Sequence, residues 1–221
     1  MKSAIVFGAT GLVGLELLKQ LTADNYYSEV IIYTRHKVNF EHSKIIQRPF
    51  DIQNIDKIKD QLNSDHIFCC LGSTQKKAGS RKQFEAIDLL APVKIAEFAA
   101  QNNVESYIVI SALGAKKDSP VFYNRVKGKM EQEVIASGIK NTKIVRPSLL
   151  LGKRTEFRTG EEIGKFLYSL FGVLFIGKLK KYKAIHAFDV AKAMIILAKS
   201  NEKKTIFESF ELNKIAANGR N

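Results

Sequence analysis

Tyr123 and Lys127 stand four residues apart in Tyr123-Asn124-Arg125-Val126-Lys127. On a helix that spacing puts both side chains on one face. A tyrosine hydroxyl can pass a proton to a carbonyl oxygen, but its free pKa of about 10 is too high for efficient exchange at neutral pH. A neighbouring ammonium favours the phenolate and brings that value down. Ser111 ends an apolar run twelve positions before Tyr123, so its hydroxyl can face the same cleft and orient the carbonyl. The trio suits reduction of a carbonyl by hydride, with Lys127 also able to hold a nicotinamide ribose. A Tyr-x-x-x-Lys pair by itself is common, and its plain alternative is a surface helix with a chance pair.

A second pattern gives the pair its context. Gly8-Ala9-Thr10-Gly11-Leu12-Val13-Gly14 has glycines at every third position, between a predicted strand and a predicted helix. Gly8 permits a tight turn, Gly11 lets backbone approach a pyrophosphate, and Gly14 lets the helix pack close to the sheet. The N–H groups of Thr10 to Gly14 and the positive end of the helix then face the phosphates. Dinucleotide folds usually carry an acidic residue about 20 positions further on, for the ribose 2′-hydroxyl. No Asp or Glu occurs from Val30 through Phe40, and the strand there ends in Arg35-His36-Lys37. A guanidinium grips a 2′-phosphate that a carboxylate would repel. The expected cofactor is therefore NADP(H) in preference to NAD(H), with Arg35 as the discriminator. Asp51 either accepts from the adenine amino group or caps a helix. Leu71, Gly72 and Ser73 are expected to line the adenosine pocket.

These residues need a scaffold, and the chain supplies an alternation. Strands are predicted at Ser3–Gly8, Glu29–Arg35, Lys44–Phe50, His66–Leu71, Val104–Ser111 and Thr142–Pro147. Helices are predicted at Leu12–Ala23, Asn54–Leu62, Gln83–Gln101 and Tyr123–Ser137. Strands alternating with helices imply an α/β fold with a doubly wound parallel sheet of the Rossmann type. Its dinucleotide-binding core is expected over residues 1–147. A small substrate-side extension is expected over 148–221, within one domain.

Together the motifs resemble the short-chain dehydrogenase/reductase superfamily, in its extended and atypical branches. Phe68-Cys69-Cys70-Leu71-Gly72-Ser73-Thr74, Lys77-Ala78-Gly79 and the Tyr123–Lys127 stretch are similar to the atypical group that contains the Tat-interacting oxidoreductase-like protein. The resemblance implies NADP(H) binding and puts Ser111, Tyr123 and Lys127 in the catalytic positions. Arg146-Pro147 matches the Arg-Pro after the sixth strand of extended members, and so joins the cofactor set. Asp189 matches a residue that leads into a late helix, where it is expected to be the N-cap. The classical branch has an Asn in the helix after the fourth strand; Asp88 stands nearest to that position. Related proteins include some that bind the dinucleotide without turning it over. The alternative to an oxidoreductase is thus a NADPH-binding regulator or scaffold, with Phe side chains from 166–175 filling the space above the nicotinamide.

The 221 residues are enough for a large core without disulfide or metal staples. An apolar fraction of 45% and a charged fraction of 26% exclude intrinsic disorder. No apolar run reaches the ~18–20 residues of a membrane span. No secretory leader is visible, and adjacent Cys69 and Cys70 read as core residues of a reducing compartment, so the expected location is cytoplasmic. The net charge of +13 is uneven. Residues 1–110 carry 13 Lys+Arg against 12 Asp+Glu; residues 111–221 carry 22 against 10. That excess is read as a solvated surface, or as a face for an acidic partner or an anionic membrane. Ile163–Gly177, rich in Phe and Leu beside the Lys178–Lys183 cluster, is read as a cover for the cleft; the alternatives are a homodimer contact and membrane docking. No nucleic-acid motif is present, and no His spacing suits a metal, so none is expected; His186 reads as a packed residue.

Overall fold

A computed structural model describes residues 1–152 and 183–219. Seven parallel strands form one sheet in the order β3-β2-β1-β4-β5-β6-β9, a doubly wound Rossmann-like fold. They are β1 (Lys2–Phe7), β2 (Tyr27–Thr34), β3 (Ile45–Pro49), β4 (His66–Cys69), β5 (Ser106–Ile110), β6 (Asn141–Arg146) and β9 (Ile206–Glu208). A separate parallel pair, β7 (Leu150–Leu151) and β8 (Ile185–His186), lies outside it. The order reverses between β1 and β4, which opens a crevice at the carboxyl ends of those two strands.

The central strands β1, β4 and β5 are buried on both faces, as their near-continuous apolar runs require, whereas edge strand β3 is part-exposed. Alternation along β1 divides the core. Ile5 and Phe7 join one cluster with Tyr33, Ile67, Cys69, Tyr107 and Ile144. Ala4 and Val6 join the other with Ile32, Phe68, Ile108 and Val145. Helices α4 (Ala91–Gln101) and α5 (Phe122–Ala136) cover the first face. Helices α1 (Leu12–Ala23), α6 (Ala187–Lys199) and α7 (Ser209–Asn218) cover the second. Cys69 and Cys70 are unbridged and belong to opposite faces.

Three elements differ from the sequence expectation. Residues 52–61 form a 3-10 helix, broken at Asn54 by non-helical φ/ψ. The long helix begins at Arg81, and between α3 (Arg81–Glu85) and α4 it passes through a π turn at Ala86–Leu90. Most consequential are residues 187–218, where the sequence alternation breaks off. They return to the sheet as α6, β9 and α7, and α6 packs beside α1. The three residues of β9 are too few to show a period of two. Within that stretch Asp189 is not the N-cap of α6. His186 holds that position, and Asp189 sits in the first turn, where a carboxylate suits the helix dipole. His186 is itself exposed, not packed: in β8 it alternates with buried Ile185.

Candidate active site and dinucleotide crevice

The glycine loop leaves β1 and enters α1 at Leu12. Gly8 has φ +76, a left-handed conformation that L side chains rarely adopt. A Cβ there would also lie 2.5 Å from the Cys70 carbonyl oxygen, so the loops after β1 and β4 touch. A Cβ on Gly14 would lie 2.2 Å from the Gly8 oxygen, which fixes the first turn of α1 against the loop. Gly11 differs from both: its Cβ would meet only the Gly8 oxygen, at 3.3 Å. Gly11 is the N-cap, Thr10 is exposed, and the first intrahelical bond runs from Leu15 N–H to the Gly11 oxygen. The N–H groups of Leu12, Val13 and Gly14 therefore have no intrahelical partner. The cradle has the shape and polarity for a pyrophosphate.

At the far end of the crevice β2 stops at Thr34, and Arg35, His36 and Lys37 are exposed. They line a cavity of about 320 Å³ together with Gln47, Arg48 and Pro49 of β3. Arg48 was not anticipated; the pairing of Tyr33 with Arg48 across β2 and β3 brings it there. Asp51 accepts from Gln53 N–H at 3.0 Å and from Asn54 Nδ2 at 2.8 Å, which makes it the cap of the 3-10 helix. Those bonds, the Gln53 amide first, hold its carboxyl below the usual range.

The third group gathers at the ends of β4 and β5. Lys127 is buried in α5, and its Nζ lies 2.8 Å from Asp88 Oδ1. The same ammonium donates to the Ile110 carbonyl at 3.3 Å, one residue before Ser111. Asp88 is fully buried on the π turn, and its other oxygen accepts from Ser73 N–H at 2.8 Å. Burial pulls the Lys127 pKa down, but the Asp88 carboxylate and Tyr123 outweigh it, and the net displacement is upward. The ammonium thus stays charged. Tyr123 stands one turn earlier on α5, half-buried, its ring centroid 5.7 Å from that of Phe84. Ser111 is buried, and its Oγ has no hydrogen-bond partner among the described residues. A buried hydroxyl left this way costs free energy unless a ligand meets it.

The loop from Ser111 to Val121 is folded onto α5 so that these groups meet. A Cβ on Gly128 would lie 2.2 Å from the Lys116 backbone, so only Gly allows that approach. Lys116 N–H donates to the Asn124 carbonyl, and Arg125 donates to the Ser119 and Pro120 carbonyls. Leu113 N–H donates to the carbonyl of buried Pro147. Arg146, which its sequence match joins to the cofactor set, has a partner within the fold. Its Nε and Nη2 bond both oxygens of buried Glu131, at 2.8 and 2.5 Å. That pair braces β6 against α5, and no spacing rule reveals such a partner 15 residues away. Leu71 and Gly72 follow β4 directly, with Gly72 exposed beside Asp88 and Lys127. Phe166–Phe175, Ile163–Gly177 and nearly all of the Lys178–Lys183 cluster lie outside the described residues.

Residues 8–170 match the family described as NAD(P)H-binding. The chain belongs to that family. It is 33% identical over 174 residues to the rat protein HTATIP2, covering 76% of this chain and 72% of the relative. It is also 33% identical over 225 residues to the mitochondrial protein FMP52 of Meyerozyma guilliermondii, covering 96% and 94%. Among solved structures it is similar to MoeE5 in complex with UDP-glucose and NAD, with a TM-score of 0.67 at 17% identity over 98% of this chain and 81% of that one. A UDP-glucose 4-epimerase from Thermotoga maritima gives 0.70 at 14% identity, over 98% and 82%. At those identities the likeness concerns the fold. The fungal relatives correct one expectation: several are named mitochondrial, which overturns the cytoplasmic assignment. That assignment rested on the lack of a secretory leader, a test blind to other routes. No helix among the described residues is long and apolar enough to cross a membrane.

Proposed function

We infer that this protein is an NADP(H)-dependent oxidoreductase that reduces a small carbonyl compound. The observation that carries the reading is the charged, buried Lys127, held at the end of β5 one helical turn from Tyr123 and one residue from the unpartnered Ser111 hydroxyl. A structural lysine is seldom fully buried.

The glycine loop would hold the pyrophosphate on the N–H groups of Leu12, Val13 and Gly14. Arg35, with His36, Lys37 and Arg48 around the same cavity, would hold a 2′-phosphate; no acidic residue lines it. Leu71, Gly72 and Ser73 would border the nucleoside. When bound in this crevice, NADPH would be the source of the hydride for the carbonyl carbon. Ser111 donates a hydrogen bond to the carbonyl oxygen and holds it toward Tyr123. The Tyr123 hydroxyl gives that oxygen its proton, so that carbonyl, hydride and proton leave as an alcohol. The Tyr123 oxygen then takes a proton back from solvent, and Lys127 would hold the nicotinamide ribose.

The test is Tyr123→Phe, with NADPH oxidation followed at 340 nm against a panel of aldehydes and quinones. Turnover should fall by about 10²-fold or more while NADPH affinity holds. Retained turnover would discard the mechanism. No turnover by the unmutated protein, with NADPH bound, would favour a NADPH-binding regulator.

A further inference from the structure

The site contains a carboxylate that the mechanism above does not use. Asp88 is fully buried, and it reaches the site because the helix widens into a π turn there. Such turns recur at functional sites because the inserted residue re-aims a side chain. One oxygen faces Lys127 and the other accepts from Ser73 N–H. It therefore ties together the loop after β4, the long helix and α5. It also sets a negative charge 2.8 Å from the ammonium that serves Tyr123.

We propose that Asp88 is a positioning residue that fixes Lys127 beside Tyr123 and, by pairing with it, withholds most of the ammonium's charge from the Tyr123 hydroxyl. The proposal rests on the assignment of Tyr123 and Lys127 to one site. A lone ammonium would favour the phenolate; a neutral ion pair favours it far less. The hydroxyl then keeps its proton to a higher pH than it would beside an unpaired ammonium. Cys69 of β4 also faces the pair, and Tyr107 of β5 lies behind it, against Cys69. Burial raises both, so neither carries charge near neutrality. The guanidinium groups of Arg81 and Arg125 lie over the face of Phe122, next to Tyr123.

Asp88→Asn isolates the charge. The amide can still accept from Lys127 or from Ser73, but the negative charge is gone. Removing it lowers the pH at which the coupled Tyr123–Lys127 pair releases its first proton, whichever group gives it up. The readout is an NMR titration of the full chain carrying ring-labelled tyrosine, with Tyr123→Phe used to assign the resonance. It needs no substrate. The expected result is a downward displacement of the Tyr123 transition by about 1 pH unit or more in Asp88→Asn. An unchanged transition would overturn the proposal.

The double variant Asp88→Asn/Lys127→Met covers the case in which the single one does not fold, since it leaves no buried charge unpaired. If the pair is electrically neutral toward Tyr123, the double variant should titrate within about half a unit of the unmutated chain. A rise of about 1 unit or more would show that the ammonium acts undiminished, and the proposal would fall. Failure of turnover in the 340 nm assay would sink the reductase reading alone, because the titration reports on Asp88 either way.

Discussion

Two glycines three residues apart make opposite demands, and replacing each by alanine separates folding from binding. At Gly14 a Cβ would lie 2.2 Å from the Gly8 oxygen and 2.9 Å from Ala9 Cα. Ordinary contacts are more than 1 Å longer than the first of these, and both neighbours are backbone that cannot swing aside. The first turn of α1 must retreat, at a cost of about 1–3 kcal/mol for overpacking. At Gly11 the new Cβ meets one atom, at 3.3 Å, and the backbone there has φ −73 and ψ 166, which alanine adopts freely. The weaker N-cap and the less flexible unfolded chain nearly cancel, so stability should change by less than about 1 kcal/mol. The methyl nevertheless stands where the pyrophosphate must approach. Losing one charge-assisted bond of about 1.5–3 kcal/mol lowers NADPH affinity by roughly 10–100-fold. Urea unfolding followed by circular dichroism measures the first quantity, and nucleotide fluorescence titration the second. Gly14→Ala should lose both stability and affinity; Gly11→Ala should lose affinity alone. A Gly11→Ala protein that binds NADPH as tightly as the unmutated chain would refute the placement of the pyrophosphate on this loop.

Other expectations follow from the same geometry. Arg35→Asp should weaken NADPH binding by about 10-fold or more and spare NADH, since it puts a carboxylate where a 2′-phosphate would sit; equal losses for both nucleotides would remove Arg35 as the selector. Arg146→Ala leaves buried Glu131 without its partner and should cost about 2–4 kcal/mol in urea unfolding, whereas a loss below about 1 kcal/mol would show the pair to be idle. His66 is buried against Tyr27, and desolvation lowers its pKa from 6.5 to about 4. Between those values the unfolded chain binds a proton that the folded chain refuses, so stability should fall as pH drops through that window, by up to about 3 kcal/mol. His66→Gln should flatten that slope; an unchanged slope would assign it to other groups.

The sheet and its crevice were legible because their signals are local. Leu12–Ala23 has the bounds its apolar spacing predicts, since Gly8, Gly11 and Gly14 punctuate its start. The central parallel strands are buried on both faces and read as nearly unbroken apolar runs. What escaped depends on contacts far apart in the chain. The Asp88–Lys127 pair joins a π turn to α5, and Arg146–Glu131 joins β6 to α5. Neither has a sequence period. Strand β9 escaped for another reason: its three residues, Ile206, Phe207 and Glu208, are held by pairing with β6 rather than by propensity.

The account stands or falls on the nucleotide. Fluorescence titration of the purified chain with NADPH, and separately with NADH, tests it most directly. The glycine loop and the Arg35 cavity together predict micromolar or tighter NADPH binding, with NADH at least about 10-fold weaker. Equal affinities would remove the 2′-phosphate assignment and keep the crevice. Binding of neither nucleotide at millimolar concentration would contradict the central claim.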